Sequence, residues 1–349
     1  MLKGIYTDVV SADEKLIDTL DKTHMERFAA VPKTLMINQW TPDQRWLQLD
    51  ATYPDQIAKR LEALQAYPEK VIERLDADYV RAGEYELRDR VAAYLLDNYP
   101  NYFKRQGDLI LSLTTGLAVD VGPDGADPMV AVAALASEDF LLLFPDSADG
   151  DVRLRSGVLA SPNDWSLRSH FNEVAPSLQD TVGYRDWAER LKESQRKARF
   201  GKTPREIHEG IVPHYMKHFA DRVDMFFRKM PPDMMVWRRN WGLWTTDKLF
   251  LHADVPLPDM PAETPDNWLA HGYMRSEHET FTRLPKSNAI LFGIKTYIWK
   301  FSDVLNNPVS RDALITSNDN LSPEMFEYRK KPLTTFRPLL DRYRDTPKI

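Results

Sequence analysis

An α+β fold, with a largely antiparallel sheet and flanking helices, is predicted for this chain from three observations. Helical periodicity fills the first third. Strand-like runs occupy the middle and the last third. The helices between those strands do not alternate one for one with them, as repeated βαβ units would require. No internal repeat or low-complexity tract is visible.

The elements follow in order. From Ala51 to Pro100, apolar residues recur at three- and four-residue spacing with Pro54, Pro68 and Pro100 as punctuation, so this region reads as capped helices. Leu87, Val91, Tyr94 and Leu95 form one buried stripe within it. The pattern changes at Asp108. LILSLTTGLAVDVG reads as strands with a turn at the glycines, and GPDGADP as a loop. MVAVAALASEDFLLLFP reads as a buried helix followed by a strand, and VRLRSGVLA alternates in the strand manner. Residues 183–202, GYRDWAERLKESQRKARFGK, read as a helix with a basic second half containing Arg190, Lys192, Arg196, Lys197 and Arg199. IVPHYMKHFADRVDMFFRKM reads as one amphipathic helix with Met216, Phe219, Val223 and Phe226 or Phe227 on its apolar side. VWRRNWGLW, KLFLHADVPL and AILFGIKTYIW read as strands. Ser302, and Ser322 followed by Pro323, are expected to open helices in the tail. MRSEHETFTRLPKSN, dense in ionisable residues before the apolar run at Ala289, reads either as a surface loop or as a polar cluster on the rim of a buried sheet. A mainly helical region over 1–105 and a second region over 106–349, packed as one compact unit, is the expected organisation.

Composition narrows the chemistry. The 349 residues are 43% hydrophobic and 28% charged, enough to close a core around a cofactor without disulfides. A formal charge of -6 offers nothing to a polyanion, so no nucleic-acid partner is expected. There is no cysteine, which excludes a thiolate nucleophile, a cysteine-held iron–sulfur cluster and a thiolate ligand to haem. With no signal-like apolar stretch at the N-terminus and no membrane-length apolar window, a soluble cytoplasmic protein is expected. Gly-rich phosphate loops, G-x-S-x-G and H-E-x-x-H are all missing.

The histidines leave alternatives open. His214 and His218, four apart on a helix, can present two imidazoles to one metal, though a solvated helix face is the plainer reading. His252 and Asp254, with His271 or His278, copy part of a non-haem iron triad, a pattern that chance also produces. His208 precedes the amphipathic helix, where it either points into a pocket or stands as an ordinary loop residue. Trp237, Trp241 and Trp244 around Arg238, Arg239 and Asn240 suit stacking at a core edge or a flat aromatic cofactor.

Taken together, WLQLDATYPDQIAKR, EYELRDRVAAYLLDNYPNYF, ALASEDFLLL, SPNDWSL, IHEGIVPHY, VWRRNWGL and RSEHETFTRLPKSNAILFGIKTY resemble the alpha subunit of haem-dependent oxidative N-demethylases, the dimethylamine monooxygenase haem subunits. The resemblance implies a PAS-like fold binding haem b between an antiparallel sheet and flanking helices. It implies oxidation of a small methylated amine such as dimethylamine with O2, the methyl group leaving as formaldehyde. Electrons would come ultimately from NADPH through a flavin/iron–sulfur reductase subunit. Ile207-His208 with Val212-Pro213 matches the family pattern, which implies that His208 is the axial ligand to the haem iron. Arg238, Asn240 and Trp241 match an Arg-x-Asn-Trp element, Arg275 and Glu277 an Arg-x-Glu, and Arg283-Leu284-Pro285 an Arg-Leu-Pro. Catalytic roles are thereby implied for Glu277, which would hold the substrate ammonium and take its proton, for Arg238, and for Arg275. Cofactor contacts are implied for Asn240, Trp241 and Arg283. Two departures stand out. His278-Glu279 replaces a common Arg-Gln, which adds an acid beside the pocket, and the segment before His208 is longer by roughly the basic helix, a lid or a docking surface for the electron donor. The rival readings are a haem-binding PAS-like sensor and the non-haem iron oxygenase of His252 and Asp254.

Overall fold

The helical first third forms where its periodicity predicts. Tyr53–Ala66 carries Pro54 in its first turn, where a missing N–H leaves nothing unpaired, and Pro68 opens the short Pro68–Val71 helix behind it. Asp78–Asn98 buries Leu87, Val91 and Leu95 and half-buries Tyr94. Gly83 lets this helix lie close to the sheet, since a Cβ there would stand 2.7 Å from the Phe144 ring. The computed structural model describes residues 2–7, 9–28, 37–145, 150–167, 198–209, 212, 215–252, 264–321, 323 and 330–344.

In chain order the strands are β1 (Ile5–Tyr6), β2 (Asn38–Gln39), β3 (Ile72–Arg74), β4 (Phe103–Gln106), β5 (Leu109–Ser112), β6 (Leu117–Asp120) and β7 (Glu138–Pro145). They continue with β8 (Val152–Val158), β9 (Asn163–Trp165), β10 (Met235–Trp244), β11 (Leu251–His252), β12 (Tyr273–Arg283) and β13 (Ile290–Lys300). A small sheet has the order β1-β6-β5-β4, with the predicted turn between β5 and β6 made by Gly116 at φ +73. The large sheet runs β2-β10-β12-β13-β7-β8-β3, and every pairing in it is antiparallel. The architecture is α+β, as expected, and no helix among the described residues is long and apolar enough to cross a membrane.

Register assigns each side chain to a face, because directly paired residues point the same way. One face carries Arg238, Glu279, Ile294 and Asp139 in a row, with Asn240, Glu277 and Thr296 in the next and Val236, Phe281, Phe292 and Leu141 on the other side. Phe227 and Met230, from and just after the Ala220–Lys229 helix, pack on its apolar half. The opposite face carries Arg239, His278, Lys295 and Glu138, flanked by Trp241, Ser276 and Tyr297. The helices of the first third and of the tail cover that side.

Several expectations need correction. The ionisable cluster is neither loop nor rim: Tyr273–Arg283 is a central strand, buried over nearly its whole length. The amphipathic helix breaks at Phe219 into Tyr215–His218 and Ala220–Lys229, and Met216 and Phe219 are exposed at 40% and 36% rather than buried. Ser302 lies inside the Phe301–Asn306 helix, whose N-cap is Lys300, whereas Asn307 and Pro308 form the cap and first residue of the helix after it. Within KLFLHADVPL, only Leu251–His252 is strand among the described residues. The short strand Ile72–Arg74 carries no signal against its helical surroundings. Ser322 and residues 183–197 of the predicted basic helix lie outside the described residues, and its last part, residues 198–202, is a bridge and a turn rather than helix.

Candidate functional site

The Pro204–His208 helix begins with a capping box: the Thr203 hydroxyl accepts from the Glu206 N–H, and the Glu206 carboxylate accepts from the Thr203 N–H. This short helix is pinned to the next one by Arg205, which donates to Asp224 at 2.7 Å and to Asp221 at 2.6 Å. At its end, His208 Nδ1 lies 2.7 Å from the Pro204 carbonyl oxygen. A carbonyl only accepts, so Nδ1 carries the hydrogen and the neutral ring keeps its lone pair on Nε2. Burial pulls the imidazole down to about 4; the Pro204 carbonyl opposes this, and the charges of Arg238 and Arg199 reinforce it. A neutral imidazole with a buttressed Nδ1–H is the state in which histidine ligates a metal.

Arg238, on β10, lies within electrostatic reach of His208. Its Nε approaches Glu279 Oε2 to 2.7 Å, although off hydrogen-bond alignment. Burial raises the Glu279 carboxyl to about 7, with Arg238 opposing and Glu277 adding to the rise. Glu277, one step along the same face, is also raised by burial, against the pull of Arg275 and of a hydrogen bond from Asn240. The Asn240 amide donates to Glu277 Oε2 at 3.3 Å, and the same side chain accepts from the Trp241 N–H at 2.9 Å. Two buried carboxylates therefore share one wall, each beside a guanidinium.

The structure groups Arg238, Glu277, Asn240 and Arg275 on the sheet, with His208 within electrostatic reach of Arg238, and it places the remaining predicted residues elsewhere. Arg275 spends its terminal nitrogens on four backbone carbonyls, those of Ser161, Pro162, Lys248 and Leu249. Its Nε approaches Glu277 to 4.0 Å, and that atom has no hydrogen-bond partner among the described residues. Arg283 is spent likewise, on Met230 O at 2.6 Å, on Asn288 and on the Phe227 carbonyl. It clamps the β12–β13 turn to the end of the helix above. The Trp241 ring lies on the opposite face with Met274, Tyr297 and Trp299. His278 faces that side too, so the alternation that unites Glu277 and Glu279 separates His278 from them. His252 is buried against the Phe250 ring, His271 and His218 are exposed, and His214 and Asp254 lie outside the described residues. Among the described residues no three His, Asp or Glu side chains are placed to hold a metal ion together.

Residues not singled out from the sequence complete the wall. Tyr215 stacks on His208, and Thr296 stands beside Glu277 in the register. The capping box was legible as Thr203-Pro-Arg-Glu206; the burial of Thr296 and Tyr215 was not. Among the described residues, Arg275 Nε, Thr296 Oγ1 and the Tyr215 hydroxyl are buried polar atoms without a hydrogen-bond partner. Interiors seldom leave such atoms unpaired unless something else satisfies them. A neutral histidine with Nε2 available to a metal, and buried donors that lack partners among the described residues, fit a haem. A family model described as haem-dependent oxidative N-demethylase, alpha subunit-like, matches residues 37–198 and 194–335.

Proposed function

The chain belongs to the haem-dependent oxidative N-demethylase alpha subunit-like family, and on that premise we propose that it oxidises a small methylated amine, such as dimethylamine, with O2. A methylated amine, O2, two electrons and two protons give the demethylated amine, formaldehyde and water. The electrons arrive from NADPH through a flavin/iron–sulfur reductase subunit, and the membership in an alpha-subunit family supports such a partner. Haem b, when bound, supplies the oxygen activation and electron acceptance that no side chain here offers. The antiparallel sheet with a histidine-bearing helix on one face is compatible with a PAS-like haem pocket. Cytoplasmic location belongs to the same proposal.

His208 would hold the haem iron in this reading. The observation that carries it is the Nδ1–H held by the Pro204 carbonyl, which leaves Nε2 as the donor. Glu277 binds the substrate as an ammonium ion. Asn240 occupies its Oε2 and leaves Oε1 for a substrate N–H, and a carboxylate whose pKa burial has raised takes the ammonium proton more readily than one in water. Arg275 works through the carbonyls it gathers, which tie the Ser161–Pro162 segment and Leu249 to β12 beside Glu277. Arg238, paired with Glu279, keeps a positive charge within electrostatic reach of His208, where it would stabilise negative charge that develops nearby.

Absorbance spectroscopy tests this directly. The purified protein is expected to show a Soret band, to shift it on titration with dimethylamine, and to lose the band in His208→Ala while its far-UV spectrum is kept. A full haem complement in that variant rejects the axial assignment. A Soret band that no methylated amine moves and no turnover with a reductase favours a sensor.

A further inference from the structure

His208 is not held by Pro204 alone. After its helix, the Val212 N–H donates to the His208 carbonyl at 3.0 Å and the Tyr215 N–H to the Val212 carbonyl at 3.1 Å, which turns the chain back on itself. That turn lays the Tyr215 ring over the imidazole with centroids 4.6 Å apart and planes 20° apart. Tyr215 is 6% exposed, yet its hydroxyl has no hydrogen-bond partner among the described residues. Asp224 lies within electrostatic reach of that hydroxyl, but Arg205 already holds its carboxylate. A phenylalanine would fill the same volume without leaving a buried O–H unpaired, so the hydroxyl calls for an acceptor that the described residues do not supply.

We infer that Tyr215 is a second cofactor-holding residue: its ring fixes the plane of the His208 imidazole, and its hydroxyl donates to a haem propionate carboxylate. The inference rests on His208 being the axial ligand. Ring and hydroxyl act through different atoms, so different substitutions separate them. Tyr215→Phe keeps the stack and removes the donor, whereas Tyr215→Leu removes both. Tyr215 is a positioning residue here, outside the chemistry on the substrate.

The test uses the haem-loaded protein and reads haem transfer to excess apomyoglobin, together with the iron–histidine stretch of the ferrous protein by resonance Raman. Tyr215→Phe is expected to lose haem about tenfold faster, the scale of one charge-assisted hydrogen bond, with its stretch unchanged. Tyr215→Leu is expected to lose haem faster still and to shift or broaden the stretch, since the imidazole plane is no longer held. A wild-type rate of haem loss in Tyr215→Phe overturns the hydroxyl assignment, and a wild-type stretch in Tyr215→Leu overturns the ring assignment. His208→Ala run alongside tells the two levels apart. If it keeps haem, the axial reading falls and this inference with it; if it loses haem while the Tyr215 variants stay silent, only this inference falls.

Discussion

Glu277 and Glu279, two positions apart on β12, share one face of the sheet, yet their neighbours give them different work. Glu277→Gln keeps shape and hydrogen bonding and deletes the charge. Removing one side of a buried ion pair typically costs ~3–5 kcal/mol, and ~1.4 kcal/mol is tenfold in affinity. Amine binding, followed by the Soret shift, is therefore expected to weaken at least about a hundredfold while haem stays bound. If Glu277→Gln titrates as wild type and Glu279→Gln does not, the ammonium contact belongs to Glu279. Glu279 itself makes a pH-dependent prediction. Burial holds its carboxyl at about 7, so the folded protein binds that proton more tightly than the unfolded chain does. Its contribution to stability is complete below the ordinary glutamate value and is lost as pH rises through about 7. His208, held at about 4, runs the other way, favouring the fold above its ordinary value of 6.5 and losing that as pH falls. Glu279→Gln removes the first trend and leaves the second. Its melting temperature, relative to wild type, is thus expected to rise steadily between about pH 5 and about pH 8. A pH-independent difference would show that Glu279 does not titrate as its surroundings dictate.

At the scale of elements, the short helix that ends in His208 depends on its cap. Five residues make too little helix to stand by propensity, and the Thr203–Glu206 box satisfies N–H groups that would otherwise be unpaired. Thr203→Ala is expected to cost the helix ~1 kcal/mol. Because His208 is its last residue, the loss should appear as several-fold faster haem release with little change in global melting temperature. Equal haem retention would mean that the Arg205 ion pairs suffice to hold the helix. Thr203-Pro-Arg-Glu206 shows how much of the site was legible locally: caps are written in adjacent residues. The clamps at Arg275 and Arg283 were not legible. Both look like pocket cations in the sequence, and both are spent on carbonyls that only the folded chain brings near.

Across the whole molecule, one buried chain of contacts runs from the N-terminal helices to the site. Arg60, on Tyr53–Ala66, donates to Asp139 at 2.6 Å with both side chains at 0% exposure. Asp139 accepts in turn from the Ala160 and Ser161 N–H groups, and the Ser161 carbonyl accepts from Arg275 beside Glu277. Arg60→Met is expected to destabilise the protein by ~3–5 kcal/mol, because Asp139 is left charged and partly unpaired in the interior. Amine affinity should fall as well, although Arg60 does not touch the pocket. Denaturant unfolding and the Soret titration measure the two effects; lost stability with unchanged affinity would confine Arg60 to a packing role. These contacts, and a core that extends from Ile5 to Leu291, are why we propose that regions 1–105 and 106–349 fold as one unit.

The amino-acid sequence by itself determined what is local or chemical. Helix and strand periodicity, the turn at Gly116 and the caps depend on residues a few positions apart. The absence of cysteine left histidine among the few possible axial ligands. Tertiary structure decided which side of β12 faces the helices. Period-two alternation says only that Glu277 and Glu279 lie together and His278 opposite; the choice of face came from pairing with β10 and β13 and from the Ala220–Lys229 helix settling on Phe281 and Phe292. It also decided that a charged stretch is a central strand rather than a loop. Burying charge is costly unless partners are at hand. The partners of Arg275 and Glu279 come from strands and loops far away in the chain, where no reading of neighbouring residues could have found them.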